Sequence, residues 1–200
     1  MPPARHPLPR AFYDRPSPAV ARDLLGCRLL HAGPQGLCVG RIVEVEAYLG
    51  RDDPASHAAR GLTARNAPMF GPPGHAYVYR IYGLHDCFNV VTGAAGDPVA
   101  VLVRAVEVEA LPPGAYPRAD GPGRLCRAFG ISRHHDRADL CRAGPGCLWI
   151  TTGPAVRGPV ATTPRIGVAD PRALRWFDPA SGSVSGPRAA RAAAPAGRLG

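Results

Sequence analysis

The sequence predicts a single α+β domain, and three observations carry that prediction. Two pairs of strand-like segments are joined by turn signals. The helical stretches are short, opened by Ser-Pro or Gly-Pro and closed by Gly. With 24 Gly and 24 Pro among 200 residues, the chain is rich in turns. At this length, and with 46% hydrophobic residues, it holds one core rather than two. The domain is expected over 1–186, with 1–16 as an irregular Pro- and Arg-rich surface segment. The last stretch, 187–200, contains Ala, Pro, Gly and Arg without periodicity and is expected to be a disordered tail.

Ser17 reads as an N-cap and Pro18 as the first helical position of a helix through 19–25 that Gly26 ends. Segments 27–31 and 37–48 read as a hairpin across the turn 32–36. In its second arm the alternation places Val39, Val43, Val45 and Ala47 on one face and Glu44, Glu46 and Tyr48 on the other. Two carboxylates and a phenol on one side of a strand make either an ordinary solvated face or a site.

The stretch 50–74 is rich in Asp, Arg and Gly, carries His57, Arg65 and Asn66, and exceeds the ~15 residues beyond which a structureless loop suggests function. In 77–82, Tyr77, Tyr79 and Ile81 share one face and Val78, Arg80 and Tyr82 the other; a turn at 83–86 leads into a return strand at 88–92. Three of the chain's six Tyr fall in those six residues, either as strand residues at the edge of a core or as a platform on which bases stack. Tyr82, beside the turn, is placed to project outward.

Segment 99–106 is a near-continuous apolar run broken by Arg104, which reads as a central strand whose one charge needs Glu44 or Glu46 as a partner. Gly121-Pro122-Gly123-Arg124-Leu125 opens a short helix that Gly130 closes; its N-terminus suits a phosphate, and turn chemistry explains the glycines equally well. Segments 148–152 and 165–168 read as further strands, and Trp176 and Phe177 close the core. His134-His135-Asp136 looks like part of a metal site and reads better as a solvated turn.

Charge narrows the class of partner. The 24 basic residues outnumber 15 acidic ones for a formal +9, a surface that attracts phosphate backbones, although every basic residue is Arg and a GC-rich coding bias inflates Arg too. The six Cys form no C-x-x-C pair, so zinc and iron-sulfur are not indicated. There is no apolar leader and no run near the ~18 residues of a membrane span.

Three segments, Phe12-Tyr13-Asp14-Arg15-Pro16, Val20-Ala21-Arg22-Asp23-Leu24-Leu25-Gly26 and Gly40-Arg41-Ile42-Val43-Glu44-Val45-Glu46-Ala47-Tyr48-Leu49-Gly50, resemble alkyladenine (3-methyladenine) DNA glycosylases. The likeness continues through Asp53 to His57, Arg65-Asn66, Met69-Phe70, Tyr77-Val78-Tyr79, Tyr82-Gly83, Asn89, Arg104-Ala105, Gly121 to Leu125 and Arg165-Ile166-Gly167-Val168, in order over roughly 10–180.

The resemblance implies an α+β domain with a mixed, mostly antiparallel curved sheet, flanking short helices and a protruding hairpin that intercalates into DNA. It implies Glu46 as the general base for a water attacking the sugar C1′, with Arg104 and the backbone at Ile166 helping to hold that water. Tyr48, Tyr79 and His57 become the pocket for a flipped purine, and Asn89 the residue that crowds the exocyclic amino group of guanine. Tyr82 becomes the wedge that fills the emptied stack, with Arg65, Met69 and Leu84 also at the DNA. It further implies double-stranded DNA with damaged purines as the partner and a monomer without cofactor or metal; a cytoplasmic location, at the nucleoid in a bacterium, is the default expectation for a chain with this cysteine pattern and no apolar leader.

A catalytically silent binding module of the same fold is the main alternative, and it has no use for a base at Glu46. A metal-dependent nuclease built on Glu44, Glu46 and His57 would recruit more carboxylates.

Overall fold

The two longest strand signals become the centre of the molecule. In the computed structural model, which describes residues 6–156 and 158–186, β1 (Arg28–Gly33) and β2 (Gly36–Tyr48) form the first hairpin. The second comprises β3 (Ala76–Ile81) and β4 (His85–Thr92), and β5 is Val99–Ala110. Three short strands follow: β6 (Leu148–Thr151), β7 (Ala161–Thr163) and β8 (Arg175–Phe177). The order is β3-β4-β5-β2-β1-β6, with β8 pairing to both β2 and β7. Every pairing among the described residues is antiparallel, so the sheet is not mixed there.

Strand β2 uses one edge for β5 and divides the other between β1 and, from Glu44 to Glu46, β8. Its register with β5 slips twice at the centre. Ile42 faces Val106 while Glu44 faces Ala105, which makes Val43 an extra residue; Val45 then faces Val103, which makes Arg104 the extra residue on β5. Such bulges bend a strand and re-aim its side chains. They also correct the expected face: Val45 and Ala47 enter the main core with Ile42, whereas Val39 packs with Leu30 and Trp149, and Val43 is buried outside the main core.

One face of the sheet carries two helices, α2 (Ser17–Leu24) and α3 (Pro122–Phe129), whose Val20, Leu24, Leu125 and Phe129 join the main core. Gly130 ends α3 in the left-handed conformation at φ 63, as the sequence predicted. The start of α2 differs from expectation. Pro16 occupies the N-cap position, and the Ser17 hydroxyl donates to Tyr48 O at 3.2 Å instead of capping the helix. The segment expected to be irregular contains α1 (Arg10–Tyr13), whose Tyr13 is fully buried. The expected strand at 165–168 is absent: those residues form turns, and the strand lies earlier, at β7. The expectation for 187–200 falls outside the described residues.

The 50–74 segment is built from short turns. It holds 3-10 turns at Gly50–Asp52 and Ala67–Phe70, and Asn66 ties it together by donating to His57 O and Gly61 O at 2.8 Å each. It packs Ala58 and Met69 against Tyr77, Val91 and Ala100 in a second cluster, apart from the main core.

Candidate active site

Both carboxylates of β2 are fully buried, which excludes the solvated strand face. The bulge at Arg104 directs its guanidinium to both, Nε to Glu44 Oε1 at 3.0 Å and Nη1 to Glu46 Oε2 at 3.1 Å. A single cation could not neutralise two buried anions. A second comes from β8, where Arg175 donates to Glu44 Oε1 at 2.7 Å, and the Ser185 N–H and hydroxyl complete that carboxylate at 2.6 and 2.8 Å. Neither Arg175 nor Ser185 was legible as a site residue in the sequence.

The two carboxylates differ in how many cations hold them. Glu44 accepts four hydrogen bonds, three on Oε1 from Arg104, Arg175 and the Ser185 hydroxyl and one on Oε2 from the Ser185 N–H, so two cations hold it. Glu46 accepts three: Arg104 and, at 3.2 Å, the Tyr48 hydroxyl on Oε2, and the Ile166 N–H on Oε1 at 2.8 Å. One acceptor position of Oε1 is thereby left over. Their proton affinities diverge accordingly. Burial raises both, but Arg104, Arg175 and the Ser185 N–H outweigh it at Glu44 and hold that carboxyl below its usual range. At Glu46 burial prevails over Arg104 and the Ile166 N–H, with the neighbouring Glu44 charge adding to it, and the carboxyl sits above that range.

Tyr48 connects this ion cluster to a pocket of about 120 Å³ lined by Tyr48, His57, Tyr77, Tyr79 and Asn89, with Met69, Ala55, Ala100 and Val168. The His57 ring lies edge-on to Tyr79 at 4.4 Å, and its Nδ1 shares a 2.9 Å hydrogen bond with the Tyr77 hydroxyl. Burial, helped by the Arg65 charge, lowers the His57 pKa and keeps the imidazole neutral near pH 7. Burial pushes the Tyr77 phenol up to about 12 and the Tyr79 phenol higher still, so both remain protonated. Asn89 donates to Tyr77 O at 3.0 Å, which leaves its carbonyl oxygen as the amide's spare acceptor. A larger groove, about 630 Å³ beside His31, Tyr116 and Arg127, is not lined by Tyr48 and so does not adjoin the carboxylate cluster through it.

The β3–β4 hairpin closes through Tyr82, Gly83 and Leu84, a tighter loop than the expected 83–86 turn. Tyr82 takes φ 50 in the left-handed region, an uncommon conformation for an aromatic residue. It is 88% exposed and Leu84 78%, so the tip presents two large apolar side chains to solvent. Arg65 reaches the same hairpin, donating to Arg80 O at 3.0 Å with its guanidinium 5.7 Å from the Tyr79 ring centroid. Met69 does not reach the surface. At 3% exposure it forms part of the pocket wall, because the 3-10 turn at Ala67–Phe70 folds it under the loop.

The His134-His135-Asp136 cluster is not a purely solvated turn. His135 Nδ1 accepts from the Ser132 N–H, its Nε2 lies 3.1 Å from His31 Nε2, and Asp136 accepts from the Val78 N–H at 2.9 Å, which bonds the β3 edge. No group of three or more His, Cys, Asp or Glu among the described residues is arranged to hold a metal ion, and no helix among them is long and apolar enough to cross a membrane.

The family model for methylpurine-DNA glycosylase (MPG) matches residues 11–181, a span that includes both buried carboxylates, Arg104, Arg175, the pocket and the hairpin and ends before Ser185. A Myxococcus xanthus protein is 56% identical over 163 residues, covering 80% of this chain and 81% of its own length. One from Methanocella arvoryzae is 49% identical over 193 residues, covering 89% and 95%. A third, from Burkholderia lata, is 45% identical over 192 residues, covering 90% and 91%. All three carry the name "Putative 3-methyladenine DNA glycosylase". The fold and the matched site thus define a DNA glycosylase, a hydrolase of DNA repair. Within that class the chain belongs to the methylpurine-DNA glycosylase family.

Proposed function

We propose that the protein flips an alkylated or deaminated purine out of duplex DNA and hydrolyses its N-glycosidic bond with a water activated by Glu46. The observation that carries this reading is the unsaturated, fully buried Glu46 carboxylate beside Tyr48, at the edge of an aromatic pocket. The water oxygen bonds to C1′, its proton passes to Glu46, and the electron pair of the C1′–N bond leaves with the purine. Positive charge builds on the sugar as that bond stretches, and a fixed carboxylate stabilises it. Arg104 and the Ile166 N–H orient the carboxylate directly, through the hydrogen bonds that both make to it.

Tyr48, Tyr79 and His57 receive the flipped base. A purine alkylated at N3 or N7 is cationic, so the aromatic faces bind it more tightly than a normal base by ~0.5–2 kcal/mol, and the neutral His57 adds no opposing charge. Asn89 screens against guanine, Met69 shapes the pocket wall, and Arg65 and Leu84 flank the wedge Tyr82. A duplex panel carrying 3-methyladenine, 7-methylguanine, hypoxanthine or ethenoadenine tests the reaction. We expect free base and an intact abasic strand. The chain contains no Lys, so no side-chain amine is present to form the Schiff base that precedes strand cleavage. Borohydride added during turnover should trap nothing. A covalent protein–DNA adduct, or no base release from any of the four lesions, would refute the reading.

The exposure and backbone strain of Tyr82 support its role as the wedge. Stacking is worth about 1–3 kcal/mol per base, so Tyr82→Ser should slow excision from duplex DNA by about 5- to 150-fold. The same lesion in single-stranded DNA should be processed at nearly the wild-type rate, since it has no stack to fill. Equal losses on both substrates would remove the wedge role.

A further inference from the structure

Four contacts converge on the fully buried side chain of Arg165. Nη1 donates to Ala47 O at 3.0 Å, between Glu46 and Tyr48 on β2. The two Nη atoms grip both oxygens of Asp53 at 2.6 and 2.8 Å, and Nη2 also reaches Asp170. The guanidinium carbon lies 4.6 Å from the centroid of the Tyr48 ring. Because Arg165 is buried and does not line the pocket, it backs that ring on the side away from the flipped base. The next residue along the chain is Ile166, whose N–H binds Glu46.

One planar fork therefore joins the wall on which the purine stacks, the strand that carries the base, and the turn that donates to it. Through Asp53 it also fixes the loop leading to His57, since Asp53 accepts the N–H groups of Leu49 and Ala55. The network is formally neutral. Arg172 bonds Asp53 and Asp170 as well, so two cations face two anions, and the charge behind Tyr48 does not repel a cationic purine across the ring.

We infer that Arg165 is a positioning residue for excision, holding the Tyr48 ring and the Ile166 N–H in the geometry Glu46 needs while touching neither purine nor water. This inference rests on Glu46 being the base. Lysine at this position keeps the charge but cannot supply parallel donors to a carboxylate, a backbone oxygen and a ring face together. Misplacement of a reacting group by about 1 Å costs roughly a hundredfold in rate.

The test compares Arg165→Lys, Asp170→Asn and Glu46→Gln in single-turnover excision across pH, with lesion-DNA affinity and melting temperature measured alongside. The substrate is the lesion that the wild type releases fastest from the panel. For Arg165→Lys we expect a rate loss of about a hundredfold with affinity held within a few-fold. The acid limb of its pH–rate profile should move upward, because the Ile166 N–H no longer favours the ionised carboxylate. Asp170→Asn, which loosens one anchor of the fork, should shift the limb in the same direction by less. An unchanged rate and acid limb in Arg165→Lys overturns the inference, as does a rate loss that follows melting temperature while the limb stays fixed. If Arg165→Lys does not fold, Asp170→Asn decides, and a fixed limb or failure to fold there also overturns it. Glu46→Gln separates the levels: if it retains activity, the base assignment falls and takes this inference with it.

Discussion

Glu46→Gln should slow base release by about a thousandfold while leaving affinity for lesion DNA within a few-fold of wild type. Gln keeps the volume that fills the buried site but loses the basicity that takes the water's proton. Its NH2 group also replaces one acceptor oxygen and so meets a donor in either orientation, the Ile166 N–H at the Oε1 position or Arg104 and the Tyr48 hydroxyl at the Oε2 position. The wild-type rate should fall on the acid side with a midpoint above the usual carboxylate range, because burial raises Glu46, and the residual rate of the variant should lose that limb. Glu44→Gln is the control. Glu44 is held by two cations, Arg104 and Arg175, and by Ser185, so neutralising it should affect stability, through the charge those two guanidiniums share, more than it affects the chemical step. Single-turnover kinetics with both variants settles the order: a Glu46→Gln rate within about tenfold of wild type, or Glu44→Gln as the slower of the two, would move the base elsewhere.

Much of this site was legible in the sequence because its signals are local. Alternation in β2 put Glu44, Glu46 and Tyr48 together, the Tyr cluster marked β3, and the one charge in an apolar strand pointed to a buried partner for Arg104, which has two. Signals that depend on distant pairing were hidden. The bulges at Val43 and Arg104 exist only in the register of β2 against β5, and they split the apolar face that alternation had drawn as continuous. Arg175 meets Glu44 across 131 positions and Ser185 meets it across 141, so spacing carried no trace of either. The strand expected at 165–168 failed for a local reason that pattern reading passed over. Gly167 sits at φ 79, which breaks an extended run and turns the Ile166 N–H toward Glu46. Met69 was given a place at the DNA by the family resemblance alone, and its burial in the pocket wall comes from a 3-10 turn that residue spacing does not mark.

Arg104→Leu should destabilise the fold by about 3–5 kcal/mol, a large share of the 5–15 kcal/mol typical of a domain. Leucine fills much of the aliphatic volume, so the cost is electrostatic. Arg175 and Ser185 still serve Glu44, whereas Glu46 keeps only the Ile166 N–H and the Tyr48 hydroxyl and becomes a buried anion without a cation. Its folded-state pKa, already raised by burial, rises further above the unfolded value. A carboxyl shifted in that direction leaves the fold fully stable below its unfolded pKa and costs stability as pH rises through the folded one. The deficit relative to wild type should therefore be largest at neutral and alkaline pH and shrink as the solution is acidified. Neutralising Glu46 should act in the same way, which makes Arg104→Leu with Glu46→Gln more stable at neutral pH than Arg104→Leu alone. Denaturant unfolding of both variants at pH 5 and pH 8 measures each difference. A deficit below about 1 kcal/mol at both pH values, or a double variant no more stable than the single one, would show that Arg104 is not what makes the buried Glu46 charge tolerable.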